Sequence, residues 1–361
     1  MTLLYLTADE VGIRSGGGIV TEQEVNALST LASDTPAGCY QIWERQCLSA
    51  EIRISMLPAV DPWMWGEAAS RLVDREQGNI KLVHVYSGTF TDTLNKLKEK
   101  GAKISYTAAA HDIKISRAEH DKFGLPYPQH LTDPEQWKRY LGGYLAADVV
   151  ICPSTHSAGV MRGFGCKNIE VIPHGCHLPD KITPVPKHFT VGALSSGLCA
   201  PDKGIIYLLQ AWKMLNYKDA TLIFGGKQSA SSAFRKMIED HGGGNIRLLG
   251  WVNDVSDFYN NISVLVQSSA TEGWGLEVNE ALAHGRQALC SEGTGAKDCV
   301  PNSWVFNSCD PKDLAGHIDA VRQNGYDWLV KNGERGRQIA ADYTWEKIRA
   351  RYVSVWKGLL T

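Results

Sequence analysis

Short apolar runs recur along the chain and alternate with stretches in which apolar positions fall three or four residues apart. The first pattern is that of buried strands and the second that of amphipathic helices. Their alternation is the signature of α/β architecture with parallel strands. In the first half the spacing predicts strands at 3–7, 38–43, 81–86, 104–108, 149–152 and 169–172, with helices at 20–32, 92–100 and 133–145. Residues 173–187, PHGCHLPDKITPVPK, hold four prolines and no period, which marks a linker. Beyond it the pattern predicts strands at 189–194, 220–224, 246–249, 263–266, 288–290 and 304–306. Helices are expected at 204–215 and from Leu276, and one amphipathic helix closes the chain at 344–359. The reading is two doubly wound sheets joined by one linker, with ligands at the carboxyl ends of the strands.

Composition narrows the class. At 361 residues the chain exceeds one ordinary domain, and 43% hydrophobic with 21% charged residues is enough for two cores. The net charge of −2 gives no footprint for a nucleic acid. Nine scattered cysteines without a C-x-x-C pair suit reduced thiols and a cytoplasmic location. His174, Cys176 and His177 share one short loop without a fourth ligand nearby, so no metal site is expected there. No apolar run approaches the roughly 18 residues of a membrane span, and the opening MTLLYLTADE lacks a basic leader. Lys96, Lys98, Lys100 and Lys103 form a modest basic cluster, a solvated helix face or at most a weak peripheral membrane contact.

Two segments carry chemistry. SGGGIV follows the first strand, and Gly16, Gly17 and Gly18 would let a diphosphate approach the backbone at a helix start. A tight strand-to-helix turn is the plain alternative. The dinucleotide fingerprint wants a glycine where Thr21 stands, although Glu44 is placed as a ribose partner. The second segment is TEGWGLEVNEALAHG, 271–285. Glu272 sits in a loop after a strand, Gly273 and Gly275 admit close backbone approach, and Glu280 lies about one turn into the following helix. Free N–H groups near the start of that helix would suit a phosphate or a sugar hydroxyl. Both carboxylates are suited to accept bonds from sugar hydroxyls.

With Glu272 and Glu280 in E-x7-E spacing, this segment resembles the retaining glycosyltransferases of family 4, which have the GT-B fold. The resemblance extends to AHDI at 110–113, AADVVICPS running into NIEVIPHG at 146–175, PDKG at 201–204 and YTWEKIRARYVSVW at 343–356. It implies two Rossmann-like domains facing across a cleft, an acceptor domain at 1–180 and a donor domain at 181–342. A helix at 343–361 would cross back to the first domain. It implies transfer from a nucleoside-diphosphate sugar, the co-substrate, to a sugar, glycan or small-molecule acceptor, with no cofactor and no metal. Glu280 would hold the ribose, Glu272 the donor sugar and Lys203 the leaving diphosphate. The amides of Trp274 to Leu276 would face sugar and diphosphate. Gly16 to Gly18 would approach the β-phosphate, and His111 would bond the transferred sugar. A donor phosphate oxygen, not a protein base, would take the acceptor proton.

The chain departs from the family at Ala193, which stands where an arginine is usual, and SSGLCAPD before Lys203 is longer than usual. Arg14 is a candidate for the missing cation. There is no D-x-D pair to hold a metal on the donor. Other chemistry on the same fold (a phosphorylase or a nucleotide-sugar epimerase), a degenerate sugar-nucleotide binder and a dinucleotide oxidoreductase are the competing readings.

Overall fold

In the computed structural model the described residues are 2–7, 16–33, 39–42, 80–86, 90–110, 112–127, 134–195 and 197–361. They divide into two compact units, one built from 1–110, 127–174 and 345–361, the other from 111–126 and 175–344. Each unit is organised on a six-stranded sheet whose neighbouring strands are all parallel.

Unit 1 runs β1 (Thr2–Thr7), α1 (Gly16–Ser33), β2 (Cys39–Ile42), β3 (Ile80–Tyr86), α2 (Thr91–Glu99) and β4 (Lys103–Thr107). After α3 (Ile113–Lys122), which belongs to unit 2, come α4 (Pro134–Ala146), β5 (Val149–Cys152), α5 (Thr155–Gly163) and β6 (Ile169–Val171). The strand order is β2-β1-β3-β4-β5-β6, so connections reverse direction between β1 and β3. Strands such as Val149–Cys152 are buried along their whole length because helices cover both faces of the sheet.

Unit 2 contains β7 (Thr190–Leu194), α6 (Ile205–Leu215), β8 (Thr221–Gly225), α7 (Ser232–His241), β9 (Ile246–Leu248), α8 (Val255–Asn260) and β10 (Val264–Gln267). It continues with α9 (Leu276–Ala283), β11 (Gln287–Ser291), β12 (Val305–Phe306), α10 (Pro311–Gln323) and α11 (Gly325–Ala340). From one edge the strands read β9-β8-β7-β10-β11-β12. The chain therefore starts in the middle, builds outward to β9, returns and builds outward to β12. The crevice at the carboxyl ends of β7 and β10, where this reversal occurs, is where such sheets bind ligands. Each unit is thus a doubly wound α/β domain.

The strands fall within a residue or two of the spacing analysis. Helices α3, α5, α7, α8, α10 and α11 were not among its expectations. Several are short or mostly polar, and their apolar positions do not stand out from the background. α7 buries only Phe234 completely. Among the described residues no helix is long and apolar enough to cross a membrane. In the basic cluster, Lys98 directs its ammonium to the Ala146 carbonyl at the end of α4, 2.7 Å away.

The last helix, α12 (Trp345–Leu360), belongs to unit 1. Trp345, Ile348, Tyr352 and Trp356 recur every three or four residues and are all buried, as an amphipathic helix requires. The helix packs on α1, β3 and β4. Beneath it lies a buried polar cluster. His84 and Glu24 are fully buried with Nε2 and Oε2 3.2 Å apart, and Tyr5 donates to the same Oε2 at 2.7 Å. His84 Nδ1 meets Ser105 Oγ at 3.0 Å, and Trp356 Nε1 donates to that Ser105 oxygen at 3.0 Å. Burial pushes the Glu24 carboxyl up, but His84, with the Thr107 and Tyr5 hydroxyls, outweighs it and holds the group below its ordinary value.

A buried pair that loses one partner leaves an uncompensated charge, so His84→Ala is expected to cost ~3–5 kcal/mol, read as a lower urea midpoint. Because the folded Glu24 value is depressed, its contribution is present above the unfolded value of about 4.3 and lost as pH falls through the folded one. Glu24→Gln should flatten that acid limb of the stability profile. An acid limb identical in mutant and wild type would remove Glu24 from the account.

Candidate active site

Two loops meet at the β7/β10 reversal of unit 2. After β7 the chain enters a short 3-10 turn, Pro201–Lys203, then Gly204 at φ 63°, then α6. This turn is fastened to the chain leaving β10. Ala270 N donates to Asp202 O at 2.7 Å, and Ser268 Oγ donates to Lys203 O at 3.1 Å. Gly204 is required twice over: its φ is left-handed, and a Cβ there would lie 1.9 Å from Ser268 O. The sequence PDKG thus folds as a turn that presses Lys203 against the β10 exit.

The second loop carries EGWG. Glu272 N donates to Gly293 O at 2.9 Å, Gly295 N to Glu272 O at 3.0 Å and Ala296 N to Trp274 O at 2.8 Å. The segment is therefore laced to the loop after β11, with Trp274 buried beneath it. Gly275, at φ 95°, starts α9 and, as a glycine, brings no side chain to cap it. A helix start is where backbone N–H groups can meet an acceptor.

These loops bring Lys203 and Glu272 together as a hydrogen-bonded ion pair, and their side chains remain 28% and 21% exposed, so a ligand can reach both. Burial alone would lower the Lys203 ammonium. Glu272, then Glu277 and Asp202, override it and hold the lysine well above its usual value. It is a permanent cation. Glu277, one residue into α9, is pushed up to about 7 by burial and then by the Glu272 charge, with Lys203 opposing. Glu280, one turn further on, is raised by burial, while a bond from Tyr259 Oη at 2.6 Å pulls the other way.

A third element joins the site from the first half of the sequence. Asp112 caps α3, its Oδ1 accepting from Lys114 N at 2.8 Å, and its own N–H donates to Thr271 Oγ1 at 2.7 Å. Further along α3, Lys122 Nζ donates to Tyr207 Oη at 2.7 Å, and Tyr207 donates to Glu119. Contacts, not chain order, make 111–126 part of unit 2.

Of the residues expected from sequence, the structure gathers Lys203, Glu272, Gly273, Trp274, Gly275, Leu276 and Glu280 around one switch point. Gly16, Gly17 and Gly18 form the first turn of α1 in unit 1, where Thr21 is buried and returns a bond to Gly18 O at 2.9 Å. His111, Arg14 and Glu44 lie outside the described residues, although Asp112, next to His111, is tied to Thr271. Ala193 is buried inside β7, paired with Phe224, and supplies no cation. Among the described residues no group of three His, Cys, Asp or Glu could hold a metal ion. Sequence reasoning passed over Glu277, which stands inside the quoted motif. It also passed over Tyr259, whose partner is 21 residues away and leaves no local signal.

The family described as glycosyl transferases group 1 matches residues 186–324, the span that holds this site. Over this segment the chain is similar to the group 1 glycosyltransferases. An uncharacterized glycosyltransferase of Haemophilus influenzae is 29% identical over 184 residues, 46% of this chain and 48% of that protein. The chain thus spans about half the length of the curated relatives it matches. Among solved structures, sucrose-phosphate synthase from Thermosynechococcus elongatus shares the fold with a TM-score of 0.76 at 18% identity, covering 99% of this chain and 98% of that one. HepE of Anabaena, solved with UDP, aligns with a TM-score of 0.69 at 16% identity over 99% and 100%. The matched segment therefore sits in a chain of two parallel-sheet units that shares the GT-B fold of these structures.

In this domain Gly204→Ala should separate the two loops or strain them, costing on the order of 1–3 kcal/mol. The expected signs are a lower melting temperature and a Lys203–Glu272 pair that no longer forms in a structure of the variant. A melting curve superimposable on wild type would show that the loops do not need the glycine.

Proposed function

We propose that the chain is a retaining glycosyltransferase that moves a sugar from a nucleoside-diphosphate sugar to a hydroxyl of a sugar, glycan or small-molecule acceptor, without a metal ion. The observation that carries this reading is the meeting of Lys203, Glu272 and the start of α9 at the β7/β10 switch point. A cation held charged in a half-buried site, beside a helix start, is suited to the negative charge that builds on a departing diphosphate. The UDP bound by the structural neighbour HepE supports the same ligand class.

In this reading unit 2 holds the donor and unit 1 the acceptor. Glu280 accepts the ribose hydroxyls. Glu272 turns from Lys203 to a hydroxyl of the donor sugar, while Lys203 moves to the diphosphate. The carbon–oxygen bond to the diphosphate breaks as the acceptor oxygen bonds to the same face of the anomeric carbon. Its proton passes to the departing phosphate oxygen. Gly16 to Gly18 approach the β-phosphate, and His111 supports the transferred sugar.

The decisive experiment is a thermal-shift panel with UDP, GDP, ADP, CMP and NAD, each with EDTA and with Mg²⁺. Ligand at 100 times its Kd stabilises by about 2.7 kcal/mol, a shift of a few degrees. One nucleoside diphosphate should produce it, undiminished by EDTA, and the anomeric configuration of the product should match the donor by NMR. No shift with any diphosphate, or an inverted product, would sink the reading. Glu272→Gln should lower transfer by at least tenfold while changing nucleotide affinity far less, as loss of a transition-state contact does. Glu280→Ala should instead weaken donor binding first.

Glu277 gives the site a pH dependence with a definite sign. With its value at about 7, the free site carries this charge above neutrality and loses it below. The ratio of wild-type to Glu277→Gln affinity for inorganic pyrophosphate, which lacks ribose and whose own titration cancels in that ratio, should therefore rise as pH falls from 8 to 6. A ratio that does not change with pH would assign the titration elsewhere.

A further inference from the structure

We propose that Tyr259 is the positioning residue of the ribose subsite, its hydroxyl holding Oε2 of Glu280 so that Oε1 is presented to the ribose hydroxyls. This rests on the donor-site reading above and names the side chain on which its Glu280 contact depends.

Tyr259 is fully buried in α8 and donates from Oη to Glu280 Oε2 at 2.6 Å, across 21 residues of sequence. The ring is fixed from its own main chain, because Arg286 Nε donates to Tyr259 O at 2.7 Å. The same guanidinium reaches Thr183, bonding O at 3.0 Å and Oγ1 at 2.7 Å, so the linker, α8 and the turn after α9 are locked together. The Tyr259 ring lies 4.9 Å from the His284 ring, and His284 Nδ1 meets Glu280 O at 2.7 Å. Backbone and carboxylate of Glu280 are thus each gripped by one member of a packed ring pair. A carboxylate on an exposed helix turn samples several rotamers, whereas this one is restricted to the rotamer that Tyr259 selects.

The hydroxyl also sets the charge. Burial favours the neutral carboxyl of Glu280, and the Tyr259 bond opposes it. The phenol itself is raised well above its ordinary value, by burial and then by the Glu280 charge, so it remains a donor at every working pH. Among the described residues, other groups face this carboxylate from its own helix and from the linker. Glu277 lies on the same helix, and Cys176 faces it from the linker, its thiol pushed up to about 12 by burial and then by the Glu280 charge. His284 is lowered by burial, with Arg286 and Arg337 adding to the effect. Among these neighbours only Tyr259 gives Glu280 a hydrogen bond to its carboxylate.

The test compares Tyr259→Phe with wild type for two probes: the ribonucleoside diphosphate that stabilises the wild type, and its 2′,3′-dideoxy counterpart. Kd for each is measured by calorimetry from pH 5.5 to 8.5. Any effect of Glu277 on the diphosphate appears in both probes and cancels in their ratio. The variant should lose roughly tenfold or more in affinity for the ribonucleotide, the scale of one bond to a charged group. It should change less than twofold for the dideoxy probe, and its ribose-dependent ratio should begin to fall at a higher pH than in wild type. In a Glu280→Gln background the added Tyr259→Phe should have no further effect on the ratio. Equal losses for both probes, or an unchanged ratio, would overturn the role while leaving the donor site standing. A wild type that binds neither probe would overturn the site and Tyr259's role with it. Should Tyr259→Phe fail to fold, the wild-type ratio decides: it must fall toward acid, and in Glu280→Gln it must be small and flat.

Discussion

The close approach of Gly204 to Ser268 is the constraint on which the candidate site depends. Lys203 and Glu272 are far apart in sequence and leave different strands. They meet because β7 and β10 are neighbours at the reversal of the sheet, and because no side chain stands between their exit loops. Two backbone-anchored bonds, from Ala270 N and Ser268 Oγ, then fix the distance. Topology provides the adjacency, and a missing Cβ converts it into contact.

Electrostatics follows from that contact. One lysine is set among Glu272, Glu277 and Asp202, with Glu280 a turn away. An arrangement with so many acids is poor for an anion as it stands, and Ala193 adds no second cation. Under the proposed reading the site becomes receptive in three ways that require no further positive side chain. Glu272 exchanges its bond with Lys203 for one with a sugar hydroxyl, releasing the ammonium. Glu277 sheds its charge close to neutrality. The start of α9 contributes backbone N–H groups whose partial charge does not depend on pH.

Much of this was legible in the chain. Apolar runs such as VVIC and SVLV announced buried strands, and the glycines of EGWG announced a loop-to-helix turn. What escaped was whatever depends on partners distant in sequence. Nothing in IKISRAEHDK shows that α3 will join Tyr207 and Asp202 more than eighty residues on, because Ser116, Glu119 and Lys122 look like an ordinary polar helix face. Glu277 was visible as a letter, but its altered acidity arises from Glu272 and from burial, neither of which sequence spacing measures.

The same logic separates the two buried polar clusters. Glu24, His84, Ser105 and Tyr5 in unit 1 resemble a catalytic constellation in residue type, with nucleophile, base and acid within bonding distance. Yet His84, Glu24 and Ser105 are all fully buried, and Trp356 of the closing helix occupies the serine hydroxyl. A reacting atom has no place beside that serine, so the cluster's work is to specify where α12 docks. Around Lys203 the side chains are paired too, but they stay partly exposed at the carboxyl ends of strands, where a ligand can replace the partner. Whether a polar cluster is architecture or chemistry is decided here by what can displace the partner, not by the residues it contains.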